Sequence, residues 1–193
     1  MRKAAVFAIG FVTITTAALA SMVRFTGSRA EAPVVRAAPL PPPAVALTTT
    51  IPVQGIAVAR LTDTWGQSRG GGARAHQGID IMAPRGTPVR AYADGVVEKL
   101  FQSGDGGITL YQRSADRGWT YYYAHLDRYA PGVAEGMRVK AGQTLGFVGD
   151  SGNAGAGNTH LHFAINRMRP GEPWYRGEAV NPYPLLVGSP AAR

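Results

Sequence analysis

The 193-residue chain has no cysteine, so no disulfide holds its fold and no lipid anchor can be built on a cysteine. After its first 50 residues, no stretch sustains a 3.6-residue apolar period over three turns, which argues against a helical architecture. Internal repeats are absent too. Acidic residues are few: 12 Asp and Glu stand against 20 Lys and Arg, for a net charge of +8. Arg2 and Lys3 supply two of those charges, and Arg24, Arg29 and Arg36 against Glu31 supply two more. The mild excess left on the remainder is scattered. A nucleic-acid-binding protein concentrates its basic residues on one footprint, and that footprint is missing. A modest positive field suits an acidic extracellular polymer or a membrane surface, and equally serves solubility.

What is present begins with Met1-Arg2-Lys3, followed by an uncharged apolar run from Ala4 to Val23. A basic start, an apolar stretch and the small-x-small site Ala18-Leu19-Ala20 form a secretory signal. The run is also long enough to remain as a membrane anchor through residues 4–23. Either way the rest of the chain is exported. Residues 24–52, rich in Pro, Ala and Thr, read as an extended, disordered linker. Residues 53–187 are enough for one domain with a real core, and 188–193 read as a disordered tail.

That domain reads as six or seven short strands punctuated by glycine turns. "TPVRAYADGVVEKLFQSG" and "ITLYQR" flank the turn "DGG", and "ADRG" leads into "WTYYYAHL". In that last segment alternation puts Tyr121, Tyr123 and His125 on one face and Tyr122, Ala124 and Leu126 on the other. "THLHFAIN" alternates His160, His162 and Ala164 against Leu161, Phe163 and Ile165. The expected fold class is all-β, mainly antiparallel.

Only four histidines occur: His76, His125, His160 and His162. Read as a strand, "HQGID" places His76, Gly78 and Asp80 on one face, with a gap at Gly78. His160 and His162 also share a face. Imidazole nitrogen and carboxylate oxygen are common zinc ligands, and three of them with an open position mark a catalytic site. A simple His76–Asp80 hydrogen bond, or solvated strand histidines, would explain the same residues separately.

"HQGIDI.APRGTPV.A..DGVV", "YYYAHLD", "V.AGQTLGFVGDSGNAG" and "THLHFAI" closely resemble, in order and spacing, the lysostaphin/LytM-type zinc metalloendopeptidases, which cut peptidoglycan cross-bridges. The likeness runs from about Asp63 to Leu186. It implies one zinc ion per domain held by His76, Asp80 and His162, with His125 and His160 as catalytic histidines. Two positions depart from the family pattern: Thr159 stands where Pro is common before HxH, and Ala164 where an acidic residue is common after the Phe. Neither is a ligand.

The resemblance also implies a mechanism. Zinc-activated water attacks, and with no Glu near the motifs one histidine acts as base while the other bonds the oxyanion. The loops "DTWGQSRGGGARA" and "GDSGNAGAGN" are expected to wall a substrate groove, with Arg74, Asn158 and Tyr123 as substrate contacts. The expected partner is a peptidoglycan peptide, not nucleic acid, met by a monomer in the periplasm or cell envelope, free or anchored to the inner membrane. The family also contains non-enzymatic amidase activators that lack the ligands. Separately, "VAEGMRVKAGQTLGFVG" resembles biotinyl or lipoyl carrier domains, but its Lys140 reads as lying inside a strand and not at a hairpin tip.

Overall fold

Alternating β-branched and aromatic residues, broken by glycine turns, produce a sheet protein. The computed structural model describes residues 50–188. The expected signal or anchor, the expected linker up to residue 49 and the tail from 189 lie outside the described residues. Among those described, no helix is long and apolar enough to cross a membrane.

The strands are β1 (Ser68–Arg69), β2 (Arg74–Ala75), β3 (Ile79–Met82), β4 (Pro88–Arg90), β5 (Gly95–Ser103) and β6 (Gly107–Ser114), followed by β7 (Trp119–Tyr129), β8 (Arg138–Val139), β9 (Thr144–Val148), β10 (His160–Arg167) and β11 (Glu178–Val180). One short helix, α1 (Pro182–Val187), closes the described chain. Asn181 caps it by accepting the Tyr183 N–H, and proline occupies its first turn. The main sheet runs β11-β10-β7-β6-β5-β8. β3 pairs with β10, β9 pairs with β7, and β4 pairs with β9. Every pairing is antiparallel. The all-β antiparallel expectation therefore holds for the described residues.

The chain is tied to this sheet from Thr50, whose N–H donates to Tyr92 O and whose hydroxyl donates to Ala91 O. Lys140 lies in the turn after β8, not inside a strand, and its ammonium pairs with Asp94 at 2.8 Å.

Alternation on β10 sends Leu161, Phe163 and Ile165 into the core, where each is almost wholly buried. Burying a side chain of that size stabilises the fold by about 1.5–3 kcal/mol. Ile79 and Ile81 of β3, Leu110 of β6, and Tyr121 and Tyr123 of β7 complete the same layer. The opposite faces of β10 and β7 are thus left for polar work.

On β7 the alternation does not run through. Ile108 pairs with Leu126 but Leu110 pairs with Tyr123, so β7 carries one extra residue at this point. His125 sits in that bulge with φ +60°. The bulge turns Leu126 into the core and brings His125 to the face of Tyr122 and Ala124. Non-glycine residues rarely adopt this conformation, and it is held only where surrounding bonds insist on it. Here the His125 N–H donates to Gly106 O at 2.9 Å. Ser151 stitches the broken ladder, accepting the Ile108 N–H at 3.0 Å and donating to Leu126 O at 2.7 Å. A Cβ on Gly107 would lie 2.3 Å from the Ser151 hydroxyl, so the "DGG" turn has to be bare to pack there.

Candidate metal centre

Three elements bring the site together. β10 supplies His160 and His162, β3 supplies Asp80, and the segment before β3 supplies His76. The register fixes Asp80 directly opposite His162. His76 lies outside the strand: its N–H donates to Gln67 O at 2.8 Å, and its carbonyl accepts the Gly66 N–H at 2.9 Å. The expected strand over "HQGID" therefore starts only at Ile79. The gap at Gly78 is filled, because a Cβ there would lie 2.8 Å from both Cε1 and Nε2 of His162 and 2.7 Å from Phe163 O.

His76 Nε2 lies 2.8 Å from His162 Nδ1, and Asp80 Oδ1 lies 3.1 Å from each of them. These three residues form a group able to hold a metal ion. The outer atoms are already committed. His76 Nδ1 lies 2.8 Å from Thr64 O; a carbonyl only accepts, so Nδ1 carries the proton and Nε2 keeps its lone pair. Asp80 Oδ2 accepts from Arg69 Nη2 at 2.6 Å, and the Asp80 N–H donates to Thr64 Oγ1.

Burial alone would raise the Asp80 carboxyl, but the imidazoles of His162 and His76, each with a ring nitrogen 3.1 Å from Oδ1, outweigh it and hold the group well below the usual carboxylate range. Burial lowers His162 as well, with Asp80 pulling the other way. The lone pair of His76 Nε2, His162 Nδ1 and an ionised oxygen facing one point suit a cation. Tetrahedral zinc with bonds of about 2.0–2.1 Å needs ligand atoms about 3.3 Å apart, close to what is seen. The residues fit zinc.

Both remaining histidines have Nδ1 bound to backbone. His125 Nδ1 donates to Ser151 O and His160 Nδ1 to Asn158 O, each at 2.8 Å. Each ring therefore keeps Nε2 as an acceptor. Their centroids are 4.8 Å apart, and His160 Nε2 lies 3.8 Å from Asp80 Oδ1. Burial is the main cause that pushes His125 below the ordinary histidine range, which favours the neutral ring.

All five residues line one cavity of about 500 Å³, walled by the two expected loops. Arg74 and Asn158 line it too; the Asn158 amide donates to Ala154 O, so its carbonyl and its side chain both brace the loop. Tyr123 does not reach the cavity. It is fully buried, its hydroxyl donating to Gln112 Oε1 at 2.7 Å and accepting the Tyr92 N–H at 2.9 Å. Tyr122 takes its place on the wall, edge-on to His162 with centroids 5.8 Å apart. The bulge at His125 is the reason, since it parts the histidine from the Tyr121/Tyr123 face. Sequence reasoning missed Arg69, Tyr122 and Ser151. Nothing in "QSRGGGAR" distinguishes the arginine that meets Asp80 from the one that does not.

Gly78→Ala tests this packing. The backbone of β10 cannot yield, so the His162 ring must move, and zinc affinity is expected to fall by about 10-fold or more with the fold retained. Competition against a chromophoric chelator measures it; unchanged affinity would mean the turn adapts.

The profile of Peptidase family M23 matches residues 74–182. An L-Ala–D-Glu endopeptidase of Bacillus subtilis is 37% identical over 129 residues, which cover 64% of this chain and 38% of that protein. The murein hydrolase activator NlpD of Escherichia coli is 33% identical over 129 residues, covering 66% of this chain and 29% of the activator. The chain thus spans well under half the length of these relatives. Among solved structures, the catalytic domain of lysostaphin from Staphylococcus simulans superimposes with a TM-score of 0.54 at 27% identity, covering 67% of this chain and 94% of that one.

Proposed function

Because the chain belongs to peptidase family M23, we propose that it is a zinc-dependent endopeptidase hydrolysing peptide cross-links of peptidoglycan. The convergence of His76 Nε2, Asp80 Oδ1 and His162 Nδ1 carries this reading. When bound, zinc supplies a Lewis acid that polarises a carbonyl and lowers the pKa of water toward about 7.

The protein's own residues do the rest. His76, Asp80 and His162 hold the ion, with Thr64 and Arg69 fixing the outer atoms of two of these ligands. His125 and His160 offer Nε2 toward the reacting groups. One takes a proton from the attacking water and returns it to the leaving amine. The other, as an imidazolium that carries a second proton on Nε2, bonds the oxyanion of the tetrahedral species. The backbone carbonyls of Ser151 and Asn158 accept the Nδ1–H of each ring and so turn both Nε2 atoms toward the reacting groups. We place this work outside the cytoplasm, at the cell envelope, where the basic start and apolar run of residues 1–23 would deliver a monomer, released or anchored.

Digestion of purified peptidoglycan by the full-length protein, with and without a zinc chelator, tests the reading by mass spectrometry. Cross-linked muropeptides are expected to fall to monomers only without chelator. The likeness to NlpD supports a second reading, an activator of another hydrolase. Undigested wall from folded, zinc-loaded protein would favour that one.

A further inference from the structure

Beyond the histidines the groove continues into a second cavity of about 440 Å³, which shares Arg74, His76, Tyr122 and His162 with the first. Tyr111, Trp174 and Arg176 form its far side. The turn carrying Arg176 is well fixed. Trp174 packs against Tyr111 and Phe101, with centroids 4.6 and 5.3 Å apart, and the Arg176 N–H donates to Pro173 O at 3.0 Å.

Two arginines of this groove have no carboxylate partner among the described residues. Arg74 and Arg176 are exposed and make no ion pair there, and Arg176 sits only near the Tyr175 ring, 5.8 Å from its centroid. Several cations elsewhere in the domain are matched: Arg85 by Asp127 at 2.6 Å, Lys99 by Glu135 at 2.9 Å and Arg113 by Glu98 at 2.5 Å. What sets Arg74 and Arg176 apart is that both line the groove beside the histidines. The groove's own carboxylates are occupied, Asp80 by Arg69 and Asp105 by the Asn153 amide. Arg74 also stands directly opposite Arg69 in the β1–β2 ladder. Like charges placed so are destabilising unless something offsets them. Asp80 relieves Arg69; among the described residues no carboxylate relieves Arg74.

We propose that Arg74 and Arg176 form a carboxylate subsite, so that the substrate is a cross-link bearing free carboxylates and not an uncharged oligoglycine bridge. A planar guanidinium pairs a carboxylate through two parallel N–H donors, and two of them flanking a groove beside the reacting centre orient an anionic residue there. The inference rests on the endopeptidase reading for the position of the scissile bond.

The test uses full-length, zinc-loaded protein and three probes: a cross-linked stem-peptide dimer with free carboxylates, the same dimer amidated, and pentaglycine. The free-acid dimer is expected to be cut with kcat/KM about 10-fold or more above the amidated dimer, the difference lying in KM. The preference should collapse in Arg74→Gln and Arg176→Gln, and invert in Arg176→Glu. Equal cleavage of the two dimers, or pentaglycine cut as fast as the free acid, overturns the subsite. Should no probe be cut, the endopeptidase reading falls. Equilibrium binding of the two dimers then decides the subsite separately: tighter binding of the free acid upholds it, and equal affinity ends it.

Discussion

Asp80→Ala is expected to purify folded, without zinc and without measurable peptidase activity, and His162→Ala to behave the same way. The Asp80 carboxylate is the negative member of the set, and its Oδ1 lies 3.1 Å from both ligand nitrogens. Without it, two neutral imidazoles must hold a dication, and Arg69 loses the carboxylate it pairs with at 2.6 Å. An unmatched guanidinium then stands beside the vacated position, adding repulsion to the lost bond. Changes to residues that only support a metal ligand cost about 10–100-fold in affinity, so removing a ligand should cost more. The fold should survive, because Asp80 packs outside the hydrophobic layer formed by Ile79, Leu161 and Phe163. Zinc content after dialysis and thermal unfolding together check this. Stoichiometric zinc in either purified variant would overturn the ligand assignment.

His125→Ala should separate binding from chemistry. Zinc is expected to stay bound while turnover drops by about 10²–10⁴-fold, the range of general acid–base catalysis. His125 touches no ligand directly; its centroid is 6.0 Å from that of His162 and its Nδ1 is spent on Ser151 O. Its backbone is strained at φ +60°, and alanine tolerates that region no better, so His125→Asn is the companion variant, asparagine being the readier occupant of left-handed backbone. Loss of turnover in both variants, with zinc and melting temperature retained, assigns the effect to the imidazole. Near-normal turnover in either would refute a catalytic role. His160→Ala, measured alongside, should show a loss of similar size, since one ring moves the proton and the other bonds the oxyanion.

Much of the fold was legible because strand alternation is a local property. The two faces of β10 follow from a period of two acting on "THLHFAIN", and the apolar row had nowhere to go but the core. The turn at "DGG" is equally local, since its bare glycines are what lets it pack on Ser151. The same rule failed on β7. A single extra residue at His125 reverses the alternation, and whether a strand bulges depends on its neighbours: here Gly106 O and the Ser151 side chain. Tyr123 was therefore expected at the site and lies in the core, with Tyr122 in its place.

The family of this protein was legible in which residues it has and in what order: four histidines and one aspartate in motifs whose resemblance the match to peptidase family M23 bears out. Their geometry was not. His76 and His162 stand 86 positions apart, and only the antiparallel register of β3 on β10 sets Asp80 across from His162 and closes the gap at Gly78. Which arginine pairs with Asp80 and which two remain unmatched along the groove was likewise decided in three dimensions. A charge's partner depends on distance through space, and spacing along the chain carries almost none of that information.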